Sequence, residues 1–324
     1  MLSLFRRNLF INLVMLALFA TALMAYHLIM PKEVVPLATN SIFGDLLQLQ
    51  NSSTLIKAIV SCVLILIQAY LVNDLVIKRK LSRALSTIPG AVFVLYTVWV
   101  MSKQIYHPVL IANIFFILSL SNLFKIYKRH QPIALIFNSG FWLALAICFY
   151  TPYLVFLLVL ILGLLSLRNI NLRETLQMLL GLLTPLFLMG TAFFYFDLLD
   201  RFYNLELSLV KLPDFTKAHW HTYAKPLVII LLILLAVLIN TEIKKKKKFD
   251  AIKTIELFYW TLMVSILTIF LGNPVHEMHL LMISTPMAVC YGLILETSKN
   301  KIIKEFLFLL AIGGYGLFLI GQTG

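Results

Sequence analysis

The stretch that decides the fold is residues 133–167, which read IALIFNSGFWLALAICFYTPYLVFLLVLILGLLSL. It contains no charged side chain and is interrupted only by a tight turn at 150–152. Basic residues stand on both flanks, within 125–129 and at Arg168. Two apolar segments joined by a short turn and bounded by cations predict a transmembrane helical hairpin. The same two segments could instead form a re-entrant pair, which would leave the sidedness of the other spans unchanged.

The whole chain is also strongly apolar. Of 324 residues, 61% are hydrophobic and 13% are charged, and the mean hydropathy is +0.94. A soluble domain has about 25% charged residues, so this chain has too few to cover a water-facing surface. The composition therefore excludes a soluble globular enzyme, and it excludes a disordered chain for the same reason.

Apolar stretches recur through the sequence at intervals that suit membrane spans. They are 8–30, 55–77, 88–102, 108–124, 133–149, 153–167, 176–196, 226–240, 255–272, 280–295 and 306–320. Since about 20 apolar residues in a helix cross the hydrocarbon core of a bilayer, we predict an all-α, polytopic transmembrane helical bundle of about eleven spans. Several of the stretches are shorter than this typical length.

The first stretch has a second interpretation. It follows Arg6-Arg7, and the small residues Ala20-Thr21-Ala22 resemble the cleavage site of a secretory signal peptide. The apolar run, however, continues to Met30 and is long enough to cross a hydrocarbon core of roughly 30 Å. A retained membrane anchor is therefore the preferred interpretation.

The basic residues predict the orientation of the spans. When connections are counted alternately from an inner N terminus, the Lys and Arg residues on the outer side are only Lys32, Lys57, Lys103, Arg201, Lys211, Lys217 and Lys225. All the others among the 27 Lys and Arg fall on the inner side. Cytoplasmic loops of membrane proteins carry such an excess, so the N terminus is predicted inside and the C terminus outside.

This pattern also accounts for the formal net charge of +13 without a nucleic-acid partner. The longest basic run, Lys244–Lys248, lies beside a predicted span end on the inner side. Such a run attracts the anionic lipids of that leaflet, so membrane lipids are predicted partners. A specific lipid-headgroup site is the less favoured alternative at this run.

Only two predicted outer connections are long, 31–54 and 197–225, and neither could hold a separate folded domain. Residues 196–203 alternate apolar and charged positions and predict an interfacial amphipathic helix. We therefore treat 1–324 as one integral membrane domain. Within it, 1–200 forms the first half with outer loop 31–54, 197–225 forms an outer interfacial segment, and 226–324 supplies the C-terminal spans.

Ionisable residues are almost absent from the middle of the predicted spans. Asp74 and Glu256 stand near inner span ends, and the lack of a buried carboxylate or Lys disfavours an ion-coupled transporter. The uncharged polar residues within spans predict hydrogen bonds between helices; they are Asn12, Gln68, Asn113 and Asn138. Three cysteines within apolar runs predict neither a disulfide framework nor a zinc site.

Candidate site residues gather on the predicted outer side. Acids of the first outer loop, Glu33 and Asp45, could act as a general base or as hard oxygen ligands. The candidate substrate-binding residues of the second loop are Asp197, Asp200, Arg201, His219 and His221. A divalent metal site is predicted at His276, Glu277 and His279, because residues three apart share a helix face. The alternatives are solvated loop acids and interfacial histidines.

Segment 64–196 resembles a family of uncharacterised bacterial inner-membrane proteins. The stretches that carry the resemblance are Leu71-Val72-Asn73-Asp74 with 78–81, His107–Asn113, Phe137–Phe141, Leu172-Arg173-Glu174 and Gly181–Pro185. The resemblance implies a multi-pass protein of the bacterial inner membrane and implies no activity.

The layout is also similar, at the level of architecture, to the GT-C membrane glycosyltransferases. Gly140–Ala146 and Thr151-Pro152 match the short hairpin of that class, and loop 31–54 matches its first outer loop. The resemblance implies sugar transfer from a polyprenyl-phosphate donor in the outer leaflet, with Glu33 or Asp45 as the base and often a divalent metal. The chain lacks the acidic pair that these enzymes often place just after the first span.

Three functions follow as hypotheses. The first is an outer-leaflet GT-C-like glycosyltransferase or glycan polymerase acting on polyprenyl-phosphate-linked sugar. The alternative is a non-enzymatic subunit or scaffold of a cell-envelope complex. The third is a lipid or glycan carrier, which ranks last because the spans show no obvious internal repeat.

Overall fold

A computed structural model of the chain describes residues 9–29, 53–82, 86–101, 105–168, 171–197, 249–268 and 277–297. Within these ranges all regular structure is helical, which confirms the predicted all-α class there. The α-helices are α1 (Leu9–Ile29), α2 (Thr54–Lys78), α3 (Ile88–Val100), α4 (Val109–Phe124), α5 (Ile133–Phe149), α6 (Leu157–Leu167), α7 (Leu172–Tyr195), α8 (Phe249–Leu267) and α9 (Ser284–Thr297). Two 3₁₀ segments, Thr151–Phe156 and Glu277–Ile283, precede α6 and α9.

The helices overlap the apolar stretches predicted from hydropathy wherever the structure describes the chain. The predicted hairpin is formed by α5 and α6, although its second arm begins with a 3₁₀ turn. Pro152 stands at the start of that turn, where its missing N–H and fixed φ are tolerated. The predicted spans 226–240 and 306–320 lie outside the described residues.

Three described helical stretches are long and apolar enough to cross a membrane: Thr54–Lys78, Leu172–Tyr195 and Met278–Glu296. Shorter apolar helical stretches accompany them at Ile11–Ala25, Ile88–Val100, Val109–Phe124, Ile133–Phe149 and Thr151–Leu167. These lengths and compositions are those of a membrane protein.

The outer surface of the bundle is strongly apolar. On α7, Leu172 is 75% exposed, Phe187 69% and Phe194 68%, and α2 exposes Leu55 and Ile59 by more than 60%. Water-soluble proteins rarely expose such continuous apolar faces, whereas lipid covers them at no cost. The exposed faces therefore agree with a bundle that sits in lipid.

Close backbone approach holds α5 against α7. A Cβ added at Gly140 would overlap the carbonyl oxygen of Met178, and one added at Gly181 would overlap the carbonyl oxygen of Phe137. Only glycine allows two helices to come this close. The reciprocal contact fixes where the two helices cross.

Several helix ends meet at one end of the bundle, which we call the basic end. Arg168 follows α6, and Arg129 lies in the turn before α5. Nη1 of Arg168 donates a hydrogen bond to the carbonyl oxygen of Arg129 at 2.9 Å. Lys128 lies in the same turn as Arg129, and its Nζ is 3.4 Å from Oδ1 of Asp250 in the first turn of α8. Arg168 also pairs with Glu174 in the first turn of α7. The end of α4, the starts of α5, α7 and α8 and the end of α6 therefore lie together.

The start of α3 and the end of α9 are joined in a similar way. Glu296 of α9 accepts hydrogen bonds from the hydroxyls of Ser82 and Ser86, the latter at 2.9 Å. Gly292 of α9 packs directly on Pro89 of α3. The two helices therefore run antiparallel along their shared contact.

A buried polar network links α2, α4 and α9 through the core. Asn113 donates from Nδ2 to Gln68 Oε1 at 2.8 Å and to Ser284 Oγ at 3.0 Å, and its Oδ1 accepts from Thr285 at 3.1 Å. All four side chains are at most 2% exposed. The predicted interhelical hydrogen bonds of Gln68 and Asn113 are thus present, whereas Asn138 lies on an exposed face of α5.

Candidate functional site at the histidine end

A cluster of aromatic and imidazole side chains lies at the opposite end of the bundle from the basic end. The Tyr150 hydroxyl is 3.1 Å from Nδ1 of His279. The rings of His107 and Tyr150 meet edge to face with centroids 5.6 Å apart, and the Tyr150 and His279 centroids are also 5.6 Å apart. All three side chains are at most 8% exposed. We call this cluster, His107, Tyr150 and His279, the histidine end.

Three different junctions between helices bring these side chains together. His107 precedes α4, Tyr150 follows α5, and His279 lies in the 3₁₀ segment before α9. Tyr96 of α3 fixes that 3₁₀ segment, because its hydroxyl donates to the carbonyl oxygen of Leu280 at 3.1 Å. The cluster is therefore built where four helices end or begin.

Hydrogen bonds and burial set the environment of the cluster. Nδ1 of His107 accepts from the backbone N–H of Val109 at 3.2 Å, at the start of α4. Burial raises the pKa of Tyr150, so its hydroxyl stays protonated beside His279. The cluster thus brings two imidazoles and a phenol together away from water.

Tyr153 adds a further hydroxyl beside the cluster. Its ring centroid lies 6.3 Å from that of Tyr150, and the side chain is completely buried. Among the described residues its hydroxyl has no hydrogen-bond partner. Buried polar atoms are usually satisfied, so this atom can accept or donate one more bond.

The structure describes only part of the predicted site. The predicted catalytic residues Glu33 and Asp45 lie outside the described residues, and so do Asp200, Arg201, His219, His221 and His276. The backbone of Glu277 begins the 3₁₀ segment, but its side chain is outside the description. Asp197 is exposed after α7 with φ of 53°, a left-handed conformation.

His279 is the one predicted metal ligand whose side chain is described, and it is buried against Tyr150. Among the described side chains, no group of three or more His, Cys, Asp and Glu is arranged to hold a metal ion. The predicted metal set is thus neither assembled nor tested by the described part of the chain.

Sequence reasoning placed His107 on the same side as His279 but did not connect either residue with Tyr150. A signal was present, because each of the three stands at the end of an apolar stretch on the predicted outer side. Hydropathy identifies such ends but does not tell which of them pack together.

Comparisons with protein-family models, with curated proteins and with solved structures gave no match to this chain. The fold and the site therefore define only a class: a membrane protein that is all-helical where the structure describes it, with a buried cluster of two imidazoles and a phenol at one end.

Proposed function

We propose that this chain is a multi-pass protein of the bacterial inner membrane, with about eleven spans and a cytoplasmic N terminus. The direction of the described helices supports this topology. Contacts join residues that the alternating count assigns to one side, as in the pairs Arg168 with Arg129 and Lys128 with Asp250. Tyr150 and His279, which the count assigns to the other side, also meet. The basic end then faces the cytoplasm.

The proposed activity is that of an outer-leaflet GT-C-like glycosyltransferase or glycan polymerase that uses polyprenyl-phosphate-linked sugar. The supporting observation is the histidine end, where several junctions between helices converge on the proposed outer side. In this proposal Glu33 or Asp45 acts as general base, and residues of 197–225 bind the substrate. His276, Glu277 and His279 are the proposed ligands of a divalent metal.

The experiment is sugar transfer by isolated membranes that contain equal amounts of each variant, with a radiolabelled polyprenyl-phosphate hexose as donor. Glu33→Gln and Asp45→Asn are tested separately, because either residue could be the base. At least one of them should lower transfer by about 100-fold or more, since general bases contribute about 10²–10⁴-fold. Asp74→Asn, at the other end of α2, is the matched control and should retain activity.

Full transfer by both variants would remove the glycosyltransferase proposal. Transfer that is lost equally in Asp74→Asn would also contradict it, because the effect would then report folding.

A non-enzymatic role as subunit or scaffold of an envelope complex is the second candidate. It is favoured by the exposed apolar side of α7, where Leu180, Leu183, Phe187 and Leu188 are each more than half exposed. Such a face can bind a transmembrane helix of another subunit. Purification in mild detergent should then recover a stoichiometric membrane partner, and Phe187→Ala should release it. Recovery of the chain alone would argue against this role.

A further inference from the structure

The outward face of α5 carries an amide that the fold leaves unpartnered. Asn138 is exposed on this face, and within the part of the chain that the structure describes its carboxamide makes no hydrogen bond. The exposed Thr191 of α7, by contrast, donates from its hydroxyl to the carbonyl oxygen of Leu188 in its own helix at 2.8 Å. The carboxamide of Asn138 is therefore left with both its donor and its acceptor to satisfy.

Asn138 lies at the level of the middle of a candidate membrane span. Its neighbour Phe137 packs backbone to backbone on Gly181, the tenth of the 24 residues of α7. Helix α7 is long and apolar enough to cross a membrane, and Leu180 and Leu183 beside Gly181 are each more than half exposed. Lipid chains offer neither a donor nor an acceptor, so an amide without a partner at this depth is costly.

An identical carboxamide is a suitable partner for this one. Each Asn side chain has an N–H donor and a C=O acceptor, so two of them can exchange two hydrogen bonds. Copies of one membrane protein have the same orientation in the membrane, so a two-fold axis that relates two copies runs along the membrane normal. In such a pair Asn138 lies at the same depth in both copies and can face its own equivalent.

The residues around Asn138 have the spacing of paired helices. Four residues line one side of α5 because they are separated by four, three and four positions: Ala134, Asn138, Phe141 and Leu145. The first two are exposed and the last two are half-buried. A seven-residue repeat of this kind packs helices against each other, and an Asn within it fixes their register. We call these four residues the Asn138 seam.

The helices behind α5 hold the seam in place. The carbonyl oxygen of Ser139 accepts from the Ser119 hydroxyl of α4 at 2.7 Å, and Gly140 lies against the backbone of α7. Within the seam, the Phe141 ring meets that of Trp142 edge to face, with centroids 5.6 Å apart. A face that is already ordered loses little conformational freedom when it binds, which favours association.

We propose that the Asn138 seam is the interface of a homodimer. In this dimer α5 of one copy packs parallel to α5 of a second copy, and the two Asn138 side chains exchange hydrogen bonds. A second copy is the occupant because it supplies the same donor and acceptor at the same depth. The dimer depends on neither the proposed glycosyltransferase activity nor the histidine end.

Association in a bilayer is measured by energy transfer between donor-labelled and acceptor-labelled full chains in lipid vesicles, as the ratio of protein to lipid is varied. The natural chain should associate as a dimer. Asn138→Leu removes both reciprocal hydrogen bonds and should need about fivefold more protein per lipid, or more, to reach half association. Thr191→Val is the matched control, because the exposed hydroxyl that it removes bonds within α7, and it should associate as the natural chain does.

Cross-linking tests which residues meet in the dimer. In a chain without its three native cysteines, Ala134→Cys and Leu145→Cys should each form a disulfide with the same position of the second copy when vesicles are mildly oxidised. Leu180→Cys is exposed on α7, away from the seam, and should give little cross-linked dimer.

Thermal unfolding in excess detergent, which separates the copies, excludes a folding effect: Asn138→Leu should unfold there at the midpoint of the natural chain. Absence of energy transfer in the natural chain at every protein density would overturn the proposal, and so would association of Asn138→Leu at the density that the natural chain requires. Equal cross-linking at positions 134 and 180 would also contradict it, because the disulfides would then report random collision.

Discussion

Asn113 shows how one uncharged polar side chain can organise a membrane-embedded core. Its amide donates to two side chains and accepts from a third, so α2, α4 and α9 are joined at one point. In hydrocarbon an unsatisfied amide is costly, so the network favours a single arrangement of these helices. The network carries no ionisable group, in keeping with a structural role.

The first prediction concerns this residue. Asn113→Leu leaves Gln68, Ser284 and Thr285 each short of a buried partner, so we expect a loss of about 1–3 kcal/mol in the free energy of unfolding. Asn138→Leu makes the same chemical change on an exposed face of α5 and should have little effect. Thermal unfolding in detergent measures both variants. Equal midpoints for the two would contradict a stabilising role for the network.

At the scale of the helices, the crossing of α5 and α7 depends on two glycines. Gly140→Ala would drive a methyl group into the backbone of α7 at Met178, which side-chain rotation cannot relieve. We expect destabilisation of about 1–3 kcal/mol, the usual cost of overpacking a close contact.

The control for this second prediction adds volume elsewhere on the same helix. Ala134→Leu enlarges an exposed position of α5 and should leave the thermal midpoint nearly unchanged. If Gly140→Ala were equally neutral, the two helices would not cross as closely as described.

The helices were largely predictable, whereas their mutual contacts were not. Hydropathy gives the extent of α5 because its ends are marked by Pro132 and by the Tyr150 turn. It predicts that Gln68 and Asn113 need partners, but it does not single out Ser284 and Thr285, which are more than 160 positions later. A polar side chain in an apolar run indicates that an interhelical contact exists, but it does not identify the partner helix. The same limit kept Tyr150 out of the predicted site.

At the scale of the whole molecule, the two ends of the bundle differ in chemistry. One end gathers Lys128, Arg129 and Arg168, and the other gathers His107, Tyr150 and His279. Helix α4 joins the two ends, and its 16 residues span about 24 Å, somewhat less than the roughly 30 Å of a hydrocarbon core. Such an arrangement suits a protein whose two ends meet different leaflets.

The third prediction tests which end faces outward. Single cysteines at Asp45 and Asp214, introduced into a chain without Cys62, Cys148 and Cys290, should react with a membrane-impermeant maleimide added to cells whose outer barrier is permeable. A cysteine at Lys125, exposed near the basic end, should react only after the inner membrane is opened. The positive-inside bias requires this result, because the basic connections stay in the cytoplasm. Labelling of Lys125→Cys in intact cells, together with protection of positions 45 and 214, would show that the bundle has the opposite orientation in the membrane. The proposed outer-leaflet activity would then have to be abandoned.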